Sequence, residues 1–130
     1  RACLRRQDTA ARLGGDEFGI LLEDADQALA QEIAERVLDA LRQPFSVAAR
    51  QLFVQASIGI ALGDDGSGPR TTTAEELLRN ADAAMYTAKS HGKGRHEFFA
   101  AQMHTSALRR LELFPNRHDA YGTRPRTNVQ

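Results

Sequence analysis

The 130-residue chain predicts an α/β fold in which two amphipathic helices pack against a mainly antiparallel sheet. Short runs of β-forming residues alternate with two segments that repeat apolar residues at helical spacing. Short turns join several of the strands, and strands joined in this way run antiparallel. The content of 42% hydrophobic and 26% charged residues is typical of one soluble globular domain.

The first element is a hairpin. Gly14 and Gly15 supply the positive backbone angles of a tight turn. Residues 12–13 and 18–23 are therefore predicted to be paired strands, with Asp16 and Glu17 at the exit of the turn.

A first amphipathic helix follows. Asp24 is the predicted N-cap, and Gln27 completes a capping-box pattern. Pro44 ends the helix because proline lacks a backbone donor and disfavours helix in the residue before it. Four apolar residues share one face at four-residue spacing, namely Leu29, Ile33, Val37 and Leu41.

The middle of the chain predicts strands. Phe45–Val47 and residues 52–55 are short strands around a turn at 48–50. Residues 57–62 form a stronger strand because their apolar residues alternate with period two. Residues 63–69 contain clustered turn formers and are predicted to be a loop.

The second helix begins at Thr73, with Glu76 as the reciprocal partner of a capping box, and ends at Gly92. Residues 97–99 form the last strand. The apolar stripe of this helix consists of Leu77, Ala81, Met85 and Ala88.

Charge and cysteine content narrow the class of function. Seventeen basic and seventeen acidic residues balance, so no broad positive field favours a nucleic acid polymer as partner. Cys3 is the single cysteine and cannot form an internal disulfide, which agrees with a reducing cytoplasm. The chain contains no apolar stretch of membrane-spanning length. We therefore expect a cytoplasmic segment without membrane contact.

Asp16 and Glu17 are the sharpest chemical feature. Adjacent carboxylates repel each other, and a divalent cation bound through oxygen stabilises them. That arrangement suggests Mg²⁺ and, with it, phosphate. Taken alone, the short motif favours an ordinary turn with two solvated acids, because such motifs recur by chance.

The residues around the turn favour a binding site over an ordinary solvated turn. The letters Gly-Gly-Asp-Glu-Phe at 14–18 resemble the signature of the GGDEF family of diguanylate cyclases. The resemblance covers residues 1–99 and implies a nucleotidyl cyclase-like sandwich, similar to the ferredoxin-like arrangement. Further segments follow in the family's order, namely residues 5–8, 34–36, 57–61, 81–89 and 92–95.

The resemblance implies an enzyme that condenses two GTP molecules into cyclic di-GMP and pyrophosphate. Each GTP is then held by one half of a homodimer with Mg²⁺, or with Mn²⁺ as an alternative ion. Asp16 and Glu17 are implied to be the catalytic metal ligands, and Gly14 and Gly15 to let the nucleotide approach the backbone closely.

Three cations are implied to contact the nucleotide. Lys89 and Lys93 match the family's phosphate-binding positions, although many members have arginine where Lys93 stands. The two lysines also fit a second role, as charges that complement the C-terminal end of the second helix. Arg12 stands beside the turn, where a solvated strand residue is the alternative.

A second group of residues resembles the family's product-inhibition site for cyclic di-GMP. Arg5 and Asp8 form the Arg-x-x-Asp pattern six residues before Gly14, and Arg36 would complete the site from the first helix, either of an adjoining domain or of the same one. Arginine suits the task because its planar fork pairs with phosphate and guanine edges. The alternative is a surface Arg–Asp ion pair.

The resemblance also predicts a domain division. Residues 1–99 are expected to be a partial GGDEF domain that lacks its N-terminal strand and helices. Residues 100–114 are expected to be a connecting amphipathic helix, and 115–130 a disordered tail. We therefore expect exposed sheet edges, marginal stability and an inactive isolated fragment.

Two other functions remain open at this point. The chain could be a non-catalytic module that senses GTP or cyclic di-GMP and regulates an attached domain, such as an EAL phosphodiesterase or a sensory domain. It could also be a structural interaction domain that binds no nucleotide.

Overall fold

The computed structural model describes residues 3–64 and 72–100. No helix within this part of the chain is both long and apolar enough to cross a bilayer. The elements described are, in order, β1 (Thr9–Gly14), β2 (Glu17–Leu21), α1 (Gln27–Arg42), β3 (Phe45–Val47), β4 (Arg50–Leu52), β5 (Ile58–Ile60), α2 (Ala74–Ser90) and β6 (His96–Phe98).

The described strands form three pairs. The β1–β2 and β3–β4 pairs are antiparallel hairpins, whereas β5 and β6 are parallel. Parallel neighbours require a long crossover, and α2 supplies it. Two of the three described pairs are thus antiparallel, as predicted, and the third belongs to a β–α–β unit formed by β5, α2 and β6.

The β1–β2 hairpin is hydrogen-bonded to no other strand among the described residues. Four large apolar side chains on or beside its strands are exposed, namely Leu13, Phe18, Ile20 and Leu21. Within the described residues, the edges of this hairpin are therefore unpaired, as expected. The marginal stability stays a prediction.

The core lies on the two helices. On α2 the buried residues are small, and on α1 two larger aliphatic side chains are also buried. The buried set consists of Ala30, Ile33, Ala34 and Leu38 on α1, and Ala83, Ala84 and Ala88 on α2.

Gly59 in β5 is the point of closest approach to α2. A Cβ atom at this position would collide with the carbonyl oxygen of Ala81 and the backbone nitrogen of Met85. Both obstacles are backbone atoms, so a rotamer change cannot relieve the clash. The strand therefore packs directly on the helix backbone, which also explains why small residues line this face of α2.

The beginning of α1 differs from the prediction. The carboxylate of Asp26 caps the helix, since its Oδ1 accepts the N–H of Leu29 at 2.8 Å. The predicted cap at Asp24 with Gln27 is wrong because Asp24 has a φ of 47°, and an N-cap requires extended backbone. The predicted end is confirmed, because the helix stops at Arg42, two residues before Pro44.

The buried face of α1 is also rotated from the predicted one. Of the four predicted residues, Ile33 is buried, whereas Leu29, Val37 and Leu41 are half-buried. Small residues form part of the buried face of α1. A face predicted from the spacing of the large apolar residues alone is therefore centred in the wrong place.

The predicted capping box of α2 is confirmed. The hydroxyl of Thr73 accepts the N–H of Glu76 at 3.2 Å, and the carboxylate of Glu76 accepts the N–H of Thr73 at 2.9 Å. The helix ends at Ser90, and Gly92 follows with a φ of 115°. Along the predicted stripe Ala88 is buried, and Leu77, Ala81 and Met85 are half-buried.

Strand boundaries differ by a few residues. β4 begins at Arg50, not at 52, because Ala48 and Ala49 form a two-residue turn with φ of 49° and 62° and so pair Val47 with Arg50. In the same way β5 is shorter than 57–62, β2 ends at Leu21, and β6 starts one residue before 97. The loop from residue 65 to 69, the connecting helix beyond Ala100 and the tail lie outside the described residues.

We predict that Gly59→Ala lowers the free energy of unfolding by at least about 2 kcal/mol, because the added methyl overpacks a backbone contact. Urea unfolding of the full-length protein, followed by circular dichroism, measures the change. Gly63→Ala is the matched control, since among the described residues a Cβ there meets the Leu77 side chain alone, at an ordinary contact distance of 3.9 Å. Equal stability of the two variants would contradict the packing argument.

Candidate functional site

The β1–β2 turn places five predicted site residues together at one end of the hairpin. Gly14 pairs with Glu17, and the register shifts between Arg12 and Gly14, so the strand is irregular just before the turn. Gly15 has a φ of 52°, the left-handed region that favours glycine, and apart from its chain neighbours no atom of the described residues lies within 4 Å of the position of a Cβ there. The backbone at the turn is therefore open to an approaching ligand.

The two acids occupy different parts of this turn. Asp16 is an exposed turn residue, whereas Glu17 is half-buried and is the first residue of β2. Because Asp16 lies outside the strand, the alternation of side chains along a regular strand does not apply to this pair. We call Asp16 and Glu17 together the acidic tip.

Two carboxylates are a sparse donor set for a metal ion. Among residues 3–64 and 72–100, no cluster of three or more His, Cys, Asp or Glu side chains is suitable for a metal. This donor set fits Mg²⁺, which is commonly held by one or two carboxylates together with phosphate oxygens and water. It does not fit Zn²⁺, whose structural sites use four nitrogen or sulfur ligands.

Arg12 closes the turn. Its Nε and Nη2 donate hydrogen bonds of 2.9 and 2.6 Å to the carbonyl oxygen of Gly15. The guanidinium thus lies against the backbone next to the acidic tip.

Lys89 and Lys93 come together at the C-terminal end of α2. Backbone hydrogen bonds terminate the helix here. The N–H of Gly92 donates to Lys89 O at 3.4 Å, and the N–H of Lys93 donates to Ala88 O at 3.2 Å. Both lysine side chains are exposed and form no ion pair within the described part of the chain. We call residues 89–95 the basic loop.

The structure does not join these two groups into one cleft. The hairpin packs mainly on itself, and α2 packs on β5 and β6. The described residues therefore hold an acidic tip and a basic loop as separate charged groups.

The predicted inhibitory residues Arg5 and Asp8 form a close pair. Arg5 Nη2 lies 2.8 Å from Asp8 Oδ1, and the backbone N–H of Arg5 donates to Asp8 Oδ2, also at 2.8 Å. Arg5 Nη2 additionally donates to the carbonyl oxygen of Glu23 at 2.6 Å. The Asp8 side chain has no exposed surface. Its hydrogen bond from Arg5 holds the pKa of the Asp8 carboxyl below its usual range.

Arg36 lies near the start of the same segment. The thiol of Cys3, two residues before Arg5, lies 3.7 Å from the carbonyl oxygen of Arg36. The Arg36 guanidinium is half exposed and lies 3.9 Å from Glu32. The structure therefore pairs Arg5 with Asp8 and places Cys3, just before this segment, against the backbone of Arg36.

Sequence reasoning assigned no role to three residues around the basic loop. The carboxylate of Glu97 contacts both the His91 ring and the Arg95 guanidinium. The sequence pattern that could have indicated these contacts is a basic residue on each side of the Gly92–Lys93–Gly94 turn, followed by an acid on the next strand.

Comparison with known proteins identifies the fold. The sequence profile described as "Diguanylate cyclase, GGDEF domain" matches residues 1–95. The chain belongs to the GGDEF family. The chain is 33% identical to the GGDEF domain of TpbB (also called YfiN) from Pseudomonas aeruginosa, with a TM-score of 0.72 over 83% of this chain and 61% of that one. The chain therefore has the predicted nucleotidyl cyclase-like α/β fold.

Two curated relatives show the range of proteins that contain such a segment. The chain is 44% identical over 113 residues to the bifunctional diguanylate cyclase/cyclic di-GMP phosphodiesterase MucR of Pseudomonas aeruginosa. It is 35% identical over 115 residues to the cyclic di-GMP phosphodiesterase PdeR of Escherichia coli. The matches cover 87% and 88% of this chain but only 16% and 17% of those proteins.

We predict that stability falls as the pH drops through the lowered pKa of Asp8. A carboxylate with a lowered folded pKa stabilises the native state fully above its unfolded pKa of about 3.9, and this contribution is lost on acidification. Asp8→Asn should flatten the dependence of the free energy of unfolding on pH below about pH 5. Urea unfolding at a series of pH values measures it.

Asp39→Asn is the control for this measurement, since Asp39 forms an i,i+3 pair with Arg42 that is exposed on both sides. A pH dependence that is the same in Asp8→Asn as in the wild type would contradict the assignment.

Proposed function

We propose that the protein carrying this chain is a diguanylate cyclase, which condenses two GTP molecules into cyclic di-GMP and pyrophosphate. The main support for this function is the intact acidic tip on an open glycine turn, in a chain of the GGDEF family. The name of MucR, a relative with 44% identity, includes this activity.

The reaction defines what the site must do. The 3′-hydroxyl of one GTP attacks the α-phosphorus of the other, and pyrophosphate leaves. Negative charge develops on the phosphate oxygens, so cations are needed around them and a base is needed at the hydroxyl. Asp16, exposed at the turn, is the residue we assign to take up the hydroxyl proton.

Asp16 and Glu17 would hold Mg²⁺, or Mn²⁺ in its place, together with phosphate oxygens and water. When bound, the ion neutralises phosphate charge. Gly14 and Gly15 leave the backbone accessible to the nucleotide, and Arg12 fixes the turn through the Gly15 carbonyl. Its remaining N–H groups are available to the nucleotide.

Lys89 and Lys93 are assigned to the triphosphate. They are exposed and form no ion pair within residues 3–64 and 72–100, so their charge is available to an anion. An ammonium group acts on phosphate as a point charge, without the bidentate geometry of arginine. The basic loop would thus contribute electrostatic attraction more than orientation.

The active form is proposed to be a homodimer in the cytoplasm. The described part of each chain contains a single acidic tip, and the reaction joins two GTP molecules. Two copies facing each other would bring the two nucleotides together.

Product feedback is assigned to Arg5, Asp8 and Arg36. The pairing of Arg5 with Asp8 orients the guanidinium and holds the carboxylate ionised at neutral pH. A bound cyclic di-GMP would compete for the donors of Arg5, and Arg36 would add a second guanidinium from α1.

A second candidate is a sensing module that binds GTP or cyclic di-GMP without catalysis and regulates an attached domain. The relative PdeR is named for phosphodiesterase activity alone, which favours this candidate. Formation of cyclic di-GMP by the full-length protein separates the two.

We predict that Asp16→Asn lowers cyclic di-GMP synthesis by the full-length protein at least about 100-fold, because the variant loses the proposed base and a metal ligand. Product formed from GTP and Mg²⁺ is measured by chromatography. Asp82→Asn, an exposed acid on α2, is the control and should retain full activity. Undiminished product from Asp16→Asn would refute the catalytic assignment.

We predict that Arg5→Ala weakens cyclic di-GMP binding at least about tenfold, since charge-assisted bidentate contacts are lost. Titration calorimetry on the full-length protein measures the affinity. Arg42→Ala removes a similar i,i+3 pair from the exposed end of α1 and should bind normally. Equal affinities of Arg5→Ala and the wild type would remove the feedback proposal.

A further inference from the structure

One carboxylate oxygen closes the turn at the centre of the basic loop. Glu97 Oε1 lies 3.1 Å from His91 Nδ1 and 2.8 Å from Arg95 Nη2. The Glu97 side chain is 20% exposed, against 55% for His91 and 46% for Arg95. The least exposed member of the three therefore lies between the other two.

Lys93 is at the midpoint of this closed turn. His91 is two residues before it and Arg95 two residues after it, so the two contacts of Glu97 join the residues on either side of Lys93. Arg95 Nη1 also donates to the carbonyl oxygen of His91 at 3.4 Å. The chain on either side of Lys93 is thus drawn together by side chains as well as by the helix end.

The backbone of Lys93 is unusual. It has a φ of 61° between Gly92 at 115° and Gly94 at 62°. A non-glycine residue in the left-handed region costs free energy and persists where its surroundings impose it. The end of α2 constrains one side, and the bond from Ile58 N to Arg95 O at 3.0 Å constrains the other.

We propose that Glu97 is a positioning residue that holds Lys93 in the conformation that binds the triphosphate of GTP. This inference rests on the proposed function, because it assumes that Lys93 contacts phosphate. Two flexible glycines flank Lys93, and ordering them at binding would weaken affinity. A loop closed in advance reduces that cost, which is the usual effect of preorganisation.

Because Glu97 is negatively charged, a positioning role and a purely electrostatic role predict opposite changes in phosphate affinity when its carboxylate is removed. Removing a carboxylate near a phosphate site would tighten phosphate binding if only the Coulomb interaction mattered. Loss of loop closure has the opposite effect. A weaker affinity in a variant without this carboxylate therefore indicates positioning.

The test uses steady-state kinetics of the full-length protein with GTP and Mg²⁺. Glu97→Val removes the acceptor and keeps a residue that favours a strand. We expect it to raise the KM for GTP roughly threefold to tenfold and to leave kcat within about twofold, the pattern of lost uniform binding. Glu97→Gln retains an acceptor oxygen and should keep the KM within about twofold of wild type.

Two further measurements complete the design. Amide hydrogen exchange of the peptide that contains residues 91–95 should be faster in Glu97→Val and near wild type in Glu97→Gln. His91→Ala removes one contact at a more exposed residue and should also raise the KM, but by less than Glu97→Val does. Glu75→Gln, an exposed acid in the first turn of α2, is the control with unchanged KM.

The outcomes are distinguishable. An active wild type with an unchanged or lowered KM in both Glu97→Val and His91→Ala overturns this inference and leaves the proposed function standing. Faster exchange without a rise in KM overturns it as well, because the loop would then be closed for a structural reason alone. A wild type that forms no cyclic di-GMP overturns the proposed function and this inference with it.

Discussion

The direct contact of β5 with the backbone of α2 at Gly59 is the constraint on which the C-terminal half of the structure depends. It sets the depth at which the helix lies on the strand, and the parallel pairing of β5 with β6 follows from the crossover that α2 makes. The loop between α2 and β6 is then anchored at both ends, by the end of α2 and by the hydrogen bond from Ile58 N to Arg95 O. A turn with three consecutive left-handed residues, Gly92 to Gly94, is the result, and Lys93 is presented at its centre.

The elements that local chemistry specifies could be predicted from the sequence. The capping box at Thr73 and Glu76 and the stop before Pro44 depend on neighbouring residues, and both are present. The cap of α1 was misplaced because Asp24 and Asp26 are equally good candidates by residue type. Only the backbone angle of Asp24, set by the turn after β2, decides between them.

In the candidate site, too, local features could be predicted from the sequence and long-range contacts could not. The residues of the acidic tip are contiguous in the chain, so their proximity needed only the glycine turn. The link from Glu97 to His91 and Arg95 could not be predicted, because it depends on how β6 pairs with β5 and returns alongside the loop. The contact of Cys3 with Arg36 is another long-range relation that residue patterns do not reveal.

The proposed reaction requires the acidic tip and the basic loop, which are separate groups in the described structure, to act on one nucleotide. A crystal structure of the full-length protein with Mg²⁺ and a GTP analogue that cannot cyclise would show whether they do. We expect an ion bonded to Asp16 and Glu17 at about 2.0–2.1 Å, with the phosphates in contact with Lys89 and Lys93. A nucleotide whose phosphates contact only one of the two groups, or neither, would refute this arrangement.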